Sequence, residues 1–263
     1  HRAPPIRTVL ARPYPDIKTT NLWSAGQDDL MPIARFKNLC MDAGNVPALA
    51  DFWARLLGGR KTDLDDGSAR VDLRADGPAN DSIWVLSVPE PRTVKNRVHV
   101  EVRFGGTDPA ALIAAGATVV RKPGEERWWV LADPEGNLFC AVPTADSPAS
   151  PTAPLSMVVD CRDSAAQAAW WAGVVGGQVD AHDGYAILAG ADGFPWKDWI
   201  FNEVPEPKTV KNRLHWDIQL LDADHTALLE AGATLLREPD GDIHWWVLAD
   251  PEGNEFCAFA PRS

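Results

Sequence analysis

VPEPRTVKNRVHVEV occupies residues 88–102, and VPEPKTVKNRLHWDI occupies residues 204–218. Ten of the fifteen positions are identical. A second phrase, WWVLADPEGNLFCA at 128–141, returns as WWVLADPEGNEFCA at 245–258, with thirteen of fourteen positions unchanged. Between the two phrases, AGATVVRKP (115–123) matches AGATLLREP (231–239). Upstream, ADFWARLLGG (50–59) matches AAWWAGVVGG (168–177) more loosely. Four blocks kept in one order mark a tandem duplication of an ordinary-sized domain, not a short-period solenoid.

The joint between the copies is PTADSPASPTAP (143–154), rich in Pro, Ser, Thr and Ala and without an apolar period. The expected layout is a first copy at 33–143, a linker at 144–153 and a second copy at 154–262. Residues 1–32 have no counterpart in the second copy and open on the Pro- and Arg-rich HRAPPIRTVLARPYP. They are expected to be a disordered or non-native extension, with Met31 near the natural start.

Apolar residues make up 45% of the 263 and charged residues 24%, the profile of a soluble globular chain. A net charge of −12 argues against nucleic-acid or anionic-membrane partners, which attract basic surfaces. No apolar run has the length of a membrane span. The four cysteines form no CxxC pair, and no secretion-type leader is seen at the start. The expectation is a reduced, cytoplasmic protein.

Local patterns give the elements of a copy. FKNLCMD (36–42) alternates as a strand, and VPALADFWARLL (46–57) is an amphipathic helix stopped by Gly58-Gly59. Strands follow near 68–73, 81–88 and 97–104, then a short helix at 108–115 and strands at 117–121, 127–132 and 137–142. The second copy repeats this, with a helix at 164–175 and strands at 213–220, 233–237, 244–249 and 254–259. A strand–helix–strands unit used twice per copy predicts an α+β fold with curved mixed sheets and helices on one face.

On the strand after the repeated phrase, Val98, Val100 and Val102 share one face, while Arg97, His99, Glu101 and Arg103 share the other. The second copy sets Leu214, Trp216, Ile218 and Leu220 against Arg213, His215, Asp217 and Gln219. The polar rows are expected to face the concavity of the sheet. A histidine beside a carboxylate suits acid/base work or metal ligation, which makes His99, Glu101, His215 and Asp217 the catalytic candidates. The same pattern also fits a structural ion pair. Lys95 and Lys211 read as solvated.

ADPEGN is a turn that launches the last strand, carrying Cys140 in one copy and Glu255 and Cys257 in the other. The cysteines fit either small buried residues or partners of the histidines. Tryptophan is abundant at twelve, six of them in doublets. They fit a core, or a pocket lining to which Trp129 and Trp246 would belong. With Arg97, Arg213, Cys140, Cys257 and Glu255 they complete the ligand-binding candidates. Glu255 and His244, in place of Leu138 and Arg127, make the second copy the more polar.

Paired βαβββ modules, a FW or WW helix ending in GG, an NR-[VL]-H strand and a DPEGN-x-FC strand resemble the glyoxalase-like domains of the vicinal oxygen chelate superfamily. The superfamily includes glyoxalase I, extradiol dioxygenases, and fosfomycin- and bleomycin-resistance proteins. The resemblance implies a concave cavity and, in catalytic members, a divalent metal held by His and Glu from the first and last strands of modules. His99 and His215 match one ligand position; Asn38 and Ser156 stand at another, Cys140 and Cys257 at the last-strand Glu, and Leu86 and Asn202 near the fourth. Glu101 and Asp217 sit two residues along the strand from the ligand position. The full metal-ligand set is therefore not expected, and a divalent metal on His99 or His215 stays an open possibility.

Two functions follow. One is a small-molecule-binding protein of the sequestering or resistance type. The other is a lyase or isomerase acting on a small oxygenated metabolite through His/acid or atypical metal chemistry. The duplication is also expected to replace, within one chain, the dimer that smaller members form.

Overall fold

The computed structural model describes residues 31–74, 77–124 and 126–261. The bulk of the expected extension, residues 1–30, lies outside the described residues.

The first copy runs β1 (Ala34–Ala43), α1 (Val46–Leu57), β2 (Arg60–Asp63), β3 (Ala69–Asp72), β4 (Ser82–Ser87), β5 (Val98–Gly105), α2 (Ala110–Ala114), β6 (Thr118–Arg121), β7 (Trp129–Ala132) and β8 (Leu138–Thr144). The second runs β9 (Ala153–Cys161), α3 (Ser164–Val175), β10 (Gln178–His182), β11 (Tyr185–Ala189), β12 (Asp198–Glu203), β13 (Leu214–Leu220), α4 (Thr226–Glu230), β14 (Thr234–Arg237), β15 (Trp246–Ala249) and β16 (Glu255–Phe259). β2, with the sequence RKTD, was not visible in the alternation. It is an edge strand, and charge rather than an apolar face is what an edge carries.

The helices are framed by their own end residues. The Asn45 side chain accepts from Ala48 N at 3.1 Å and Gly58 closes α1 at φ 67°. Asp163 accepts from Ala166 N at 2.9 Å to open α3. The buried face of α1 carries Val46, Leu49, Ala50, Phe52, Trp53, Leu56 and Leu57.

Among the described residues sixteen strands form two mixed eight-stranded sheets, the α+β architecture expected of four βαβββ modules. The first has the order β14-β15-β16-β13-β1-β4-β3-β2, and the second β10-β11-β12-β9-β5-β8-β7-β6. Each sheet therefore joins the first module of one copy to the second module of the other. The joints are the antiparallel pairs β1–β13 and β5–β9. The pseudo-dimer arises from these cross-copy pairs, and neither sheet belongs to a single copy.

The helix-facing sides of both sheets share one core. Val98, Val100 and Val102 enter it from β5, and Leu214, Trp216, Ile218 and Leu220 from β13. Its largest residues are Trp53, Trp171, Trp199 and Trp216. The Trp171 ring lies 5.0 Å from Trp199 and 5.1 Å from both Trp216 and Phe256. Trp216, which replaces Val100, is thus a core difference between the copies and lies away from the polar face.

Candidate functional site

Side-chain alternation sends His99 and Glu101 on β5, and His215 and Asp217 on β13, to the side of each sheet opposite the shared core. Cross-strand register then supplies their neighbours. On the second sheet Glu101 stands beside Cys140 of β8 and Ser156 of β9. On the first, Asp217 stands beside Cys257 of β16 and Asn38 of β1, while His215 faces Cys40. Two groups gather three metal-capable donors within 4.8 Å of one another: His99, Glu101 and Cys140, and Cys40, His215 and Asp217. Glu101 and Asp217, two residues along the strand from the expected ligand position, are members of these groups. Residues i and i+2 share a face, and their side chains lean together.

Burial sets the protonation of the donors. His99 is pushed down to about 4, with the Asp160 charge opposing and the Lys95 charge assisting. His215 is lowered by the same desolvation. Burial raises the Cys40, Cys140 and Cys257 thiols, and neighbouring carboxylates raise them further: Asp217 for Cys40 and Cys257, Glu101 for Cys140. At neutral pH the imidazoles are uncharged and the cysteines are thiols, so no thiolate–imidazolium nucleophile pair forms here.

The two faces differ in their surroundings. On the second sheet Trp128, Val130 and Cys140 cluster with Leu138 and Val142, and Val158, Ile187 and Ile200 cluster with Tyr185. On the first, a β-bulge between Phe36 and Asn38 turns both Lys37 and Asn38 toward Asp217. Asn38 Nδ2 donates to Asp217 Oδ2 at 2.9 Å, and Lys37 Nζ lies 3.3 Å from the same oxygen. His215 Nε2 is 3.9 Å from Asp217 Oδ1.

Other candidates lie elsewhere. Arg97 Nη1 donates to the Glu206 carbonyl at 2.7 Å, and Arg213 donates to those of Glu90 and Asp42. Lys95 pairs with Asp160 at 2.6 Å and Lys211, whose side chain stays mostly exposed, pairs with Asp42, so each lysine also neutralises a buried carboxylate. VPEPxTVKNR is a clasp between the copies. A cavity of about 700 Å³ lies between its two occurrences, lined among others by Val94, Arg97, Val210 and Arg213. Neither donor group lines it. The cations Lys95, Arg97, Lys211 and Arg213 of this cavity are bound to carboxylates and carbonyls.

Glu255 is held by Lys208 at 2.7 Å and by Asn212 N at 3.2 Å, which makes it part of the same framework. Trp129 and Trp246 pack against the shared core. Their neighbours Trp128 and Trp245 take the other face, Trp128 beside Cys140 and Trp245 stacked 5.2 Å from Phe259. The sequence signal for this was parity. Val130 faces Cys140 across the hairpin, so Trp128 must share their side.

The glyoxalase-like domain family matches residues 38–142 and again 156–259. The chain belongs to that family. Among solved structures this glyoxalase-like protein is similar to a glyoxalase I mutant from Zea mays, with TM-score 0.58 and 17% identity over 87% of this chain and 94% of the other. It is also similar to a putative dioxygenase from Bacillus subtilis, with TM-score 0.57 and 11% identity over 88% and 86%. These are vicinal oxygen chelate folds, and at such identities they speak to fold alone. No curated protein matches the chain in sequence. Among the described residues no helix is long and apolar enough to cross a membrane.

Each donor group of this glyoxalase-like protein offers one nitrogen, one oxygen and one sulfur. That set suits a borderline ion such as zinc better than a hard, all-oxygen ion. The neutral histidines are in the form that ligates. A thiol would give up its proton on binding an ion.

Proposed function

We propose that the protein binds a small molecule on the outward faces of its sheets, in a sequestering or resistance role. The observation that supports this is the second sheet's face, where a buried His99–Glu101–Cys140 group sits between two apolar clusters. A few polar groups amid aromatic and aliphatic side chains is the composition of a ligand site. Four free cysteines suit the reducing, cytoplasmic setting we assign to it. The test is a ligand screen by tryptophan fluorescence. Saturable quenching should weaken in Trp128→Phe and persist in Trp129→Phe. A signal insensitive to Trp128 would place the ligand elsewhere and refute the reading.

The donor geometry supports a second reading. His99, Glu101 and Cys140 would hold a zinc-class ion and leave positions open, and the protein would be a lyase or isomerase of a small oxygenated metabolite. Such an ion supplies Lewis acidity toward a substrate oxygen. Elemental analysis of the purified protein tests it. Close to an equivalent of bound metal, lost in His99→Ala, is expected; a protein that takes up no metal after incubation with zinc would end this reading.

A further inference from the structure

The cavity between the two copies of VPEPxTVKNR has nearly twofold walls, because the phrase differs between its occurrences at one position, Arg92 against Lys208. The two cations are placed differently. Lys208 Nζ reaches Glu255 Oε1 at 2.7 Å and stands outside the cavity lining. In the first copy the residue matching Glu255 is Leu138, which offers no carboxylate. Arg92 is part of the lining. Among the described residues its one hydrogen bond runs from Nη1 to the Val94 carbonyl at 3.0 Å, and it has no carboxylate partner. The guanidinium lies across Gly136, where a Cβ would come to 3.1 Å from Nη2. A glycine in that turn leaves room for the fork, whose other N–H groups remain available to a ligand.

Apolar surface surrounds this cation. Val94 and Val210 line the cavity although they are 44% and 41% exposed, and Pro91, Pro205 and Pro207 line the same space. Asp42 and Asp160 are neutralised by Lys211 and Lys95. Glu90 and Glu206 also line the cavity, but both are exposed, where water and salt screen them. We propose that the cavity is a second binding site, for a small organic anion: a monocarboxylate with an apolar body, its carboxylate on Arg92 and its body against Val94 and Val210. A guanidinium matches a planar carboxylate through two parallel N–H···O bonds. A volume of about 700 Å³ suits a small molecule. The lone unmatched cation gives the ligand one orientation across walls that otherwise repeat. Because both copies build the site, its occupant bridges them and stabilises the folded chain.

The experiment is isothermal titration calorimetry of the whole protein with octanoate, phenylbutyrate and naphthoate, each against its primary amide. Arg92→Gln removes the charge. Leu138→Glu gives the first copy the acid that holds Lys208 in the second. Circular dichroism melting checks that each variant folds; should Leu138→Glu not fold, Arg92→Gln decides alone. The expected result is one saturable site per chain for at least one of the acids, with a Tm that rises as it fills. Affinity should fall at least about tenfold for the matching amide, in Arg92→Gln and in Leu138→Glu. Failure of all three acids to bind, an amide that binds as well as its acid, or unchanged affinity in either folded variant overturns the proposal. Binding kept in Arg92→Gln but lost in His99→Ala would place the anion on the second sheet's face instead.

Discussion

Arg97 Nη2 donates to the main-chain carbonyl of Asp160 at 2.9 Å, and Arg213 Nη2 makes the matching bond to Asp42 at 3.0 Å. Each bond leaves the start of a second-module strand and ends on the first-module strand of the other copy. Each sheet is thereby stitched at its central joint by a residue of the duplicated phrase.

Removing Arg213 should be costly. It is 9% exposed, and a charged donor bonded to a buried carbonyl, here that of Asp42, contributes about 1.5–3 kcal/mol. Arg213→Ala should lower the unfolding free energy by about 2–3 kcal/mol in urea melts. Lys211, 61% exposed although paired with Asp42, should matter by less than about 1 kcal/mol. Equal losses from the two would contradict the clasp.

Trp216 tests the shared core. It is fully buried and meets Trp171 and Trp199 at 5.1 Å each. Trp216→Ala should cost about 3–5 kcal/mol, read as a drop in Tm and in denaturation midpoint. A loss below about 1 kcal/mol would mean that this aromatic cluster is not the packed centre described here.

The duplication, the helices and most strands were legible because repeated phrases and apolar periods are local properties. Which modules share a sheet was not, since the two copies carry the same patterns and either pairing satisfies them. Lys37 was hidden for a different reason. FKNLCMD alternates on paper, but Phe36, Leu39 and Met41 all enter the core, and only a bulge reconciles those positions. His99 and His215 were read on the correct face because they lie in the interior of unbroken strands. Arg97 and Arg213 precede β5 and β13, and their reach to the other copy is a tertiary fact.

The cysteines should be inert. All four are buried and free, and burial raises every thiol. In native protein at pH 8, a thiol reagent such as Ellman's should label well under one equivalent within minutes, and four after denaturation. Rapid labelling of Cys140 or Cys257, identified by peptide mass, would show that the donor groups hold an activated thiolate after all.

His99 makes stability depend on pH. A histidine whose pKa falls from 6.5 to about 4 on folding binds its proton more weakly in the folded chain. The unfolded chain then takes up the extra proton between these values, so stability is lost as pH drops from about 6.5 toward 4. The displacement corresponds to about 3 kcal/mol across that window. Asp133 and Asp250, both raised to about 6 by burial, act in the opposite sense: the folded chain holds their protons, and stability declines as pH rises from about 4 to 6. The wild-type profile is a composite, and His99→Gln separates its parts. In urea melts at pH 7 and pH 4.5, the wild type should lose about 2–3 kcal/mol more than the variant on acidification. Parallel losses would mean that His99 binds its proton equally well folded and unfolded, and that its burial does not displace its titration.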